Sequence, residues 1–258
     1  MKIAAFQFGS TENIDHNFDA IKRATKEAFQ NKVRLLVFHE CALSGYPPLE
    51  TPDINRIDFD KLSAYTLEIQ HLAKKYNMYI VLGTIIKTDN QYYNSTLLID
   101  PHGEIIGRYD KKALWGYDID NFAEGKLPGI YEIDGIKVGF RICYEIRFPE
   151  YFRELLQSKV ELCIVTFSDT SKEDLTSRYE TIKAHLLTRA VENVMTIVSV
   201  NSISKFQTAP TAVFDINGNI LKEAPKNEEF LLIYDYHTPE IRYMEKGRIQ
   251  HSLELLNH

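Results

Sequence analysis

Val138 to Leu155 reads VGFRICYEIRFPEYFREL. A β-prone, largely apolar run reaches Cys143, and the pattern breaks at that residue. A Glu, an Arg and Phe-Pro-Glu follow at once, and Pro149 stands where the first turn of a helix tolerates proline. The stretch predicts a strand, a thiol at its carboxyl end, and then a helix. Strand followed by helix argues for an α/β chain if the flanking sequence repeats the theme.

It does so in both directions. Upstream, YEIDGIKVGFRIC places Asp134-Gly135 between two apolar runs, a hairpin signal. Downstream come the strand VELCIVTF, the long helix EDLTSRYETIKAHLLTRAVENV, and the strands MTIVSVN, TAVFDINGNIL and FLLIYDY. Toward the amino terminus, KIAAFQF reads as a buried strand. The next segment, NIDHNFDAIKRATKEAFQN, sets Phe18, Ile21, Ala24, Thr25 and Ala28 near helical spacing, and VRLLVF is a strand. FDKLSAYTLEIQHLAKKYN is an amphipathic helix, followed by the strands MYIVLGTIIK, YYNSTLLID and EIIGRYD, with a turn at PHG. No short-period repeat, low-complexity tract or linker interrupts the pattern, so residues 1–258 read as one α/β domain.

Composition narrows the function. With 258 residues, 44% of them hydrophobic, the chain can bury a sizeable core. Its net charge of −6, with no basic face, argues against nucleic acid as a partner. No run is long enough to span a bilayer, and the opening IAAFQFG lacks the small-residue cleavage site of a signal peptide. Cys41, Cys143 and Cys163 cannot all pair and lack disulfide-framework spacing, so reduced thiols in a cytoplasmic protein are expected.

Three reactive side chains share one kind of address. Glu40 follows VRLLVF, Lys111 follows EIIGRY and Cys143 ends KVGFRI. Ligand sites of open α/β sheets gather beyond the carboxyl ends of strands, so a carboxylate, an ammonium and a thiol are expected to converge there. A nearby cation and a helix amino terminus both favour the thiolate form. A carboxylate can take the thiol proton and return it to a leaving amine. An ammonium, helped by the backbone N–H of Tyr144, can hold an oxyanion. The plainer readings are a core thiol for Cys143, a zinc site at His39-Glu40-Cys41, and a Cys-His dyad. The spacing supports neither of the last two. Cys163 is flanked by apolar residues and reads as core. Cys41, next to Glu40, would face away from it in a continuing strand. Glu145, Arg147 and Glu150 read as charges that pair and orient a loop. In WGYDIDNF, Trp115, Tyr117 and Phe122 read equally as pocket wall or packing.

Three ordered strings carry a family likeness: FHECALSGYP (Phe38–Pro47), GRYDKKALWGYDIDNFAEG (Gly107–Gly125) and GFRICYEIRFPE (Gly139–Glu150). Together with IAAFQF, LLTRAVENV and TAVFDINGNIL, they resemble the carbon–nitrogen hydrolase, or nitrilase, superfamily over nearly the whole chain. The resemblance implies a four-layer α-β-β-α sandwich with two central β-sheets. It also implies Glu40 as general base and acid, Lys111 as oxyanion cation and Cys143 as nucleophile, with no metal or cofactor. Tyr109 fixes the register that chooses Lys111 over Lys112. Asp118 falls where the family often has a second Glu, and Tyr144 and Trp115 fall at the pocket. Ala113, His39 and Thr211 stand where a His, a Pro and a Ser are usual.

Tyr144, where true nitrilases tend to carry Trp, points to the amidase-like branch acting on small ω-amides. N-carbamoyl compounds and nitriles are the alternatives, and a non-catalytic binding protein on the same fold is another. A homodimer or larger homo-oligomer is implied, with contacts from Pro149–Leu156, Thr181–Asn193 and the tail YMEKGRIQHSLELL.

Overall fold

The structure is a computed structural model and describes residues 1–256. The strands are β1 (Lys2–Gln7), β2 (Leu35–Phe38), β3 (Tyr79–Thr88), β4 (Gln91–Ile99), β5 (Ile105–Asp110), β6 (Ile130–Ile133), β7 (Ile136–Ile142), β8 (Leu162–Phe167), β9 (Thr170–Ser171), β10 (Thr196–Asn201), β11 (Phe206–Gln207), β12 (Ala212–Phe214), β13 (Ile220–Glu223) and β14 (Phe230–Asp235). The helices are α1 (Ile14–Gln30), α2 (Phe59–Tyr76), α3 (Tyr117–Asn121), α4 (Pro149–Gln157), α5 (Thr176–Asn193) and α6 (Tyr243–Leu256).

Two six-stranded sheets form, in the orders β14-β1-β2-β3-β4-β5 and β13-β12-β10-β8-β7-β6. Strand alternation builds the layers, because successive side chains face opposite sides of a sheet. Ile3, Ala5, Leu35 and Val37 of the first sheet meet Phe140, Leu162, Ile164 and Val198 of the second in one buried cluster. The alternate residues Ala4, Phe6, Leu36 and Phe38 pack outward on Ile21 and Ala24 of α1 and Leu62 and Ile69 of α2. On the far side, Cys163, Val165 and Ile197 pack on Phe152 and Leu155 of α4 and Ile182 and Leu186 of α5. The result is the expected four-layer sandwich, with Cys163 in its core.

Direction of the strands places the site. β1, β2 and β3 run parallel, while β4 is antiparallel to β3 and β5 to β4, so β5 runs with the first three. β7, β8 and β10 are parallel in the second sheet. The carboxyl ends of β2 and β5 therefore share one edge of the first sheet, and those of β7 and β8 share one edge of the second. The Asp134-Gly135 hairpin forms as predicted, with φ of 49° and 80°, the left-handed pair that a two-residue turn needs.

Three details differ from the sequence reading. α5 starts at Thr176, two residues after Asp174. TAVFDINGNIL is not one strand: a turn over Asp215–Gly218 splits it into β12 and β13. FLLIYDY does not extend the nearest sheet but crosses to pair with β1, Lys2 opposite Asp235. The β9–β11 ribbon and helix α6 were not anticipated.

Candidate active site

β2 ends at Phe38, and the turn after it carries Glu40 inward, 1% exposed. The turn fits only because β3 has Gly83 beneath it. A Cβ there would lie 2.0 Å from the His39 carbonyl oxygen. Glu40 Oε1 accepts from Asn94 Nδ2 at 2.7 Å and from Lys111 Nζ at 2.9 Å. Its Oε2 accepts from the Ser168 N–H at 2.8 Å. Cys41 does not face away, because the strand has already stopped. With φ of 52° it leaves the strand alternation, and its thiol lies 3.6 Å from Asn94 Oδ1, on the amide that also holds Glu40.

Lys111 follows β5 directly, and its N–H donates to the Asn94 carbonyl at 2.9 Å. Its side chain is 2% exposed, and Nζ donates both to Glu40 and, at 2.7 Å, to Asp118 Oδ2. Asp118 Oδ1 in turn accepts from the Tyr46 hydroxyl at 2.7 Å. The shorter acid thus reaches Lys111, but it is fully buried behind the ammonium and does not line a pocket. Lys112 points the other way, to Glu154 at 3.0 Å.

Cys143 is the first residue after β7, in a tight 3-10 turn over Cys143–Arg147, with φ of 45°. A left-handed conformation at a non-glycine residue costs energy and is held by its surroundings. Glu145 is the clamp. Its buried carboxylate accepts from the Ile142 N–H at 2.7 Å, the Lys112 N–H at 2.6 Å and the Tyr109 hydroxyl at 2.8 Å. One side chain so ties the Cys143 turn on the second sheet to the Lys111 segment on the first. Loop orientation was the reading for Glu145, but it works through backbone N–H groups rather than charge pairing.

Cys143 opens onto a cavity of about 530 Å³ whose wall also includes Lys111, Tyr144, Trp115 and Arg147. Arg147 is therefore more than a loop charge. Of the other WGYDIDNF aromatics, Phe122 joins the core and Tyr117 accepts the Ile54 N–H. The far wall carries Asp169 and Arg178, an ion pair at 2.8 Å that sequence reading missed. Asn94, Ser168, Tyr46 and Glu50 were missed too. Ser168 alone had a signal, since it follows β8 as Cys143 follows β7.

Burial pushes the Cys143 thiol well above its ordinary range, and Glu40 adds to this; Lys111 opposes them without prevailing. Lys111 thus favours the thiolate, as the sequence implies, while burial and Glu40 work against it. Burial also works against the Lys111 charge, but the neighbouring acids, Glu40 foremost, hold its pKa well above the usual lysine value. Lys111 has three N–H donors, and two are spent on carboxylates. The third is left for the cavity that Lys111 lines. Among the described residues, no cluster of three or more His, Cys, Asp or Glu is arranged to hold a metal ion.

Known proteins resemble this chain along nearly its whole length. The profile of the carbon–nitrogen hydrolase family matches residues 2–245. A 2-oxoglutaramate amidase of Bacillus subtilis (strain 168) is 26% identical over 254 residues, covering 96% of this chain and 91% of that protein. An omega-amidase of Saccharomyces cerevisiae is 25% identical over 270 residues, covering 93% and 88%. Among solved structures, an amidase from Nesterenkonia sp. AN1 in complex with butyramide superposes with a TM-score of 0.84. It covers 100% of this chain and 95% of its own at 22% identity, a likeness of fold.

Proposed function

We infer from one premise, that the chain belongs to the carbon–nitrogen hydrolase family, that it is an amidohydrolase cleaving a small carboxamide through a cysteine thioester. The observation that carries this is the position of Lys111: its ammonium sits between two buried carboxylates and lines the cavity onto which Cys143 opens.

The cycle uses these groups alone. Glu40 takes the thiol proton as the sulfur of Cys143 attacks the amide carbon. The free N–H of Lys111 and the Tyr144 N–H hold the oxyanion, whose charge develops only in the transition state. The intermediate collapses, the C–N bond breaks, and Glu40 returns its proton to the departing ammonia. Water then gives a proton to Glu40 and attacks the thioester. The carboxylic acid leaves, and the proton returns to sulfur.

The acyl group is read from the wall. Arg178 is neutralised by Asp169, whereas the Arg147 guanidinium makes no ion pair among the described residues. One free cation beside the thiol suits a carboxamide with a distant carboxylate, an ω-amide of a dicarboxylic acid. N-carbamoyl amino acids carry the same carboxylate and are the second reading. Ammonia release from matched ω-amides, simple amides, N-carbamoyl amino acids and nitriles tests this. The ω-amide should win on kcat/KM, and a nitrile ahead by more than about tenfold, or 1.4 kcal/mol, would reverse the branch.

The same reading takes residues 1–258 as one hydrolase domain working in the cytoplasm. Three unpaired cysteines support a reducing compartment. Among the described residues, no helix is long and apolar enough to cross a membrane. A homodimer or larger assembly is part of the reading, supported by Tyr243, Met244 and Leu255, which α6 leaves exposed.

A further inference from the structure

One acid near the site has no part in the cycle above. Glu50 lies on the loop after β2, and its carboxylate turns inward to four donors. Oε2 accepts from Ser10 Oγ at 2.6 Å and the Tyr46 N–H at 2.9 Å. Oε1 accepts from Ser202 Oγ at 2.6 Å and Ser168 Oγ at 3.0 Å. Ser168 and Ser202 are the first residues beyond β8 and β10, and Ser10 lies just beyond β1. Glu50 therefore fastens strand ends of both sheets at the edge where the site lies.

Among the described residues Glu50 forms no ion pair. A carboxylate taken from water without a counter-ion is costly unless hydrogen bonds replace hydration. Burial pushes its pKa up, and the hydrogen bonds from Ser10, Ser202, Tyr46 and Ser168 work against that rise. A fold needing only a tether between these loops could use a neutral side chain. Two of the four partners lead straight to the reacting groups. Ser168, held through its hydroxyl, donates its backbone N–H to Glu40 at 2.8 Å. Tyr46, held through its backbone N–H, donates its hydroxyl to Asp118 at 2.7 Å.

We propose that Glu50 is a positioning residue of the reaction, fixing through Ser168 and Tyr46 the carboxylates of Glu40 and Asp118 that flank Lys111. The proposal rests on the reading of Glu40 as proton carrier. Charge matters here because a carboxylate accepts from all four donors at once. A carboxamide at the same place offers one accepting oxygen and turns donor hydrogens toward the rest.

The test uses the full chain with Glu50→Gln, Glu50→Asp and Ser168→Ala. Two quantities are read: kcat and KM on the preferred amide, and the pH midpoint of Cys143 alkylation by iodoacetamide, followed by mass. That midpoint responds to the charges around the sulfur, namely Glu40, Lys111, Asp169 and, behind the ammonium, Asp118. Glu50→Gln is expected to lower kcat by at least about tenfold with KM within about threefold, and to move the alkylation midpoint. Ser168→Ala, which keeps the N–H to Glu40 but drops the link to Glu50, should shift both in the same direction, and Glu50→Asp should recover part of kcat. A Glu50→Gln protein with kcat within about twofold of wild type, or with an unmoved midpoint, overturns the proposal. Should Glu50→Gln fail to fold, Ser168→Ala decides by the same two readings. If wild type hydrolyses no amide, the amidase reading fails, while the alkylation midpoint still judges Glu50.

Discussion

Replacing Lys111 by Met keeps the stem and removes the charge. The side chains of Lys111, Glu40 and Asp118 are 2%, 1% and 0% exposed, so water cannot take the place of the lost ammonium. Removing one partner of a buried pair costs about 3–5 kcal/mol, and here two carboxylates are stranded together, which favours the upper end. For a chain of this size that lowers the melting temperature by roughly 6–20 °C. The cost depends on pH with a definite sign. Without the cation, two like charges are left side by side out of water, with nothing to balance them. The penalty comes from unbalanced negative charge, so it is full at neutral pH and shrinks in acid as that charge is removed. Lys112 serves as the control. It is partly exposed, and its partner Glu154 keeps a second cation, Arg141, at 2.9 Å, so Lys112→Met should cost about 0–1 kcal/mol. The assay is thermal unfolding of both variants at pH 7 and pH 5, beside kcat, which should fall by about 10²–10³ for Lys111→Met alone. Equal stability losses in the two variants, or a Lys111→Met penalty that grows in acid, would refute the argument.

Cys143→Ala should fold and bind substrate but release no ammonia, while wild type quenched during turnover should carry an acyl adduct on Cys143; an adduct on Cys41 or Cys163 would move the nucleophile elsewhere. His39 is buried, which lowers its pKa from 6.5 to about 4, so the folded state refuses a proton that the unfolded chain accepts. Stability should be full above pH 6.5 and fall by about 3 kcal/mol toward pH 4, and urea unfolding of His39→Gln should lose that part of the slope; an unchanged slope would clear His39 of the effect. Light scattering at micromolar concentration should give a dimer or larger species, and a monomer would end the assembly reading.

The sequence disclosed most where a residue type and a boundary coincide. Asp134-Gly135 needs left-handed backbone at both positions, and few pairs adopt it, so the hairpin was readable. Consecutive side chains of an extended chain diverge, so only one lysine could face the thiol; the family likeness, through Tyr109, implied Lys111, and the structure sends Lys111 to Glu40 and Lys112 to Glu154. What stayed hidden were partners with no boundary of their own. Asn94 lies inside β4 among residues that read only as strand, and its role depends on register against β5. Glu50 follows Pro-Pro-Leu in a loop, and nothing local says that it will meet serines 118 and 152 residues away in sequence. The crossing of β14 to β1 was hidden for a similar reason: an apolar run announces a strand but not its neighbour. For Cys143 the motif announced the cation that favours the thiolate, but not the burial that works against it, which is a property of the whole fold.

The first sheet and the second each hold only part of the reacting set. Glu40 and Lys111 extend from one and Cys143 from the other, with Glu145 as the rivet between them. The distance between proton carrier and thiol is therefore a dimension of the seam, set by residues such as Ala5, Val37 and Phe140 that never meet substrate. Tightly packed interiors transmit small displacements, and about an ångström of misplacement is worth a hundredfold in rate. Natural variation can thus retune this catalyst from deep inside the sandwich, by trading methyl groups across the seam, with every residue of the cavity left unchanged.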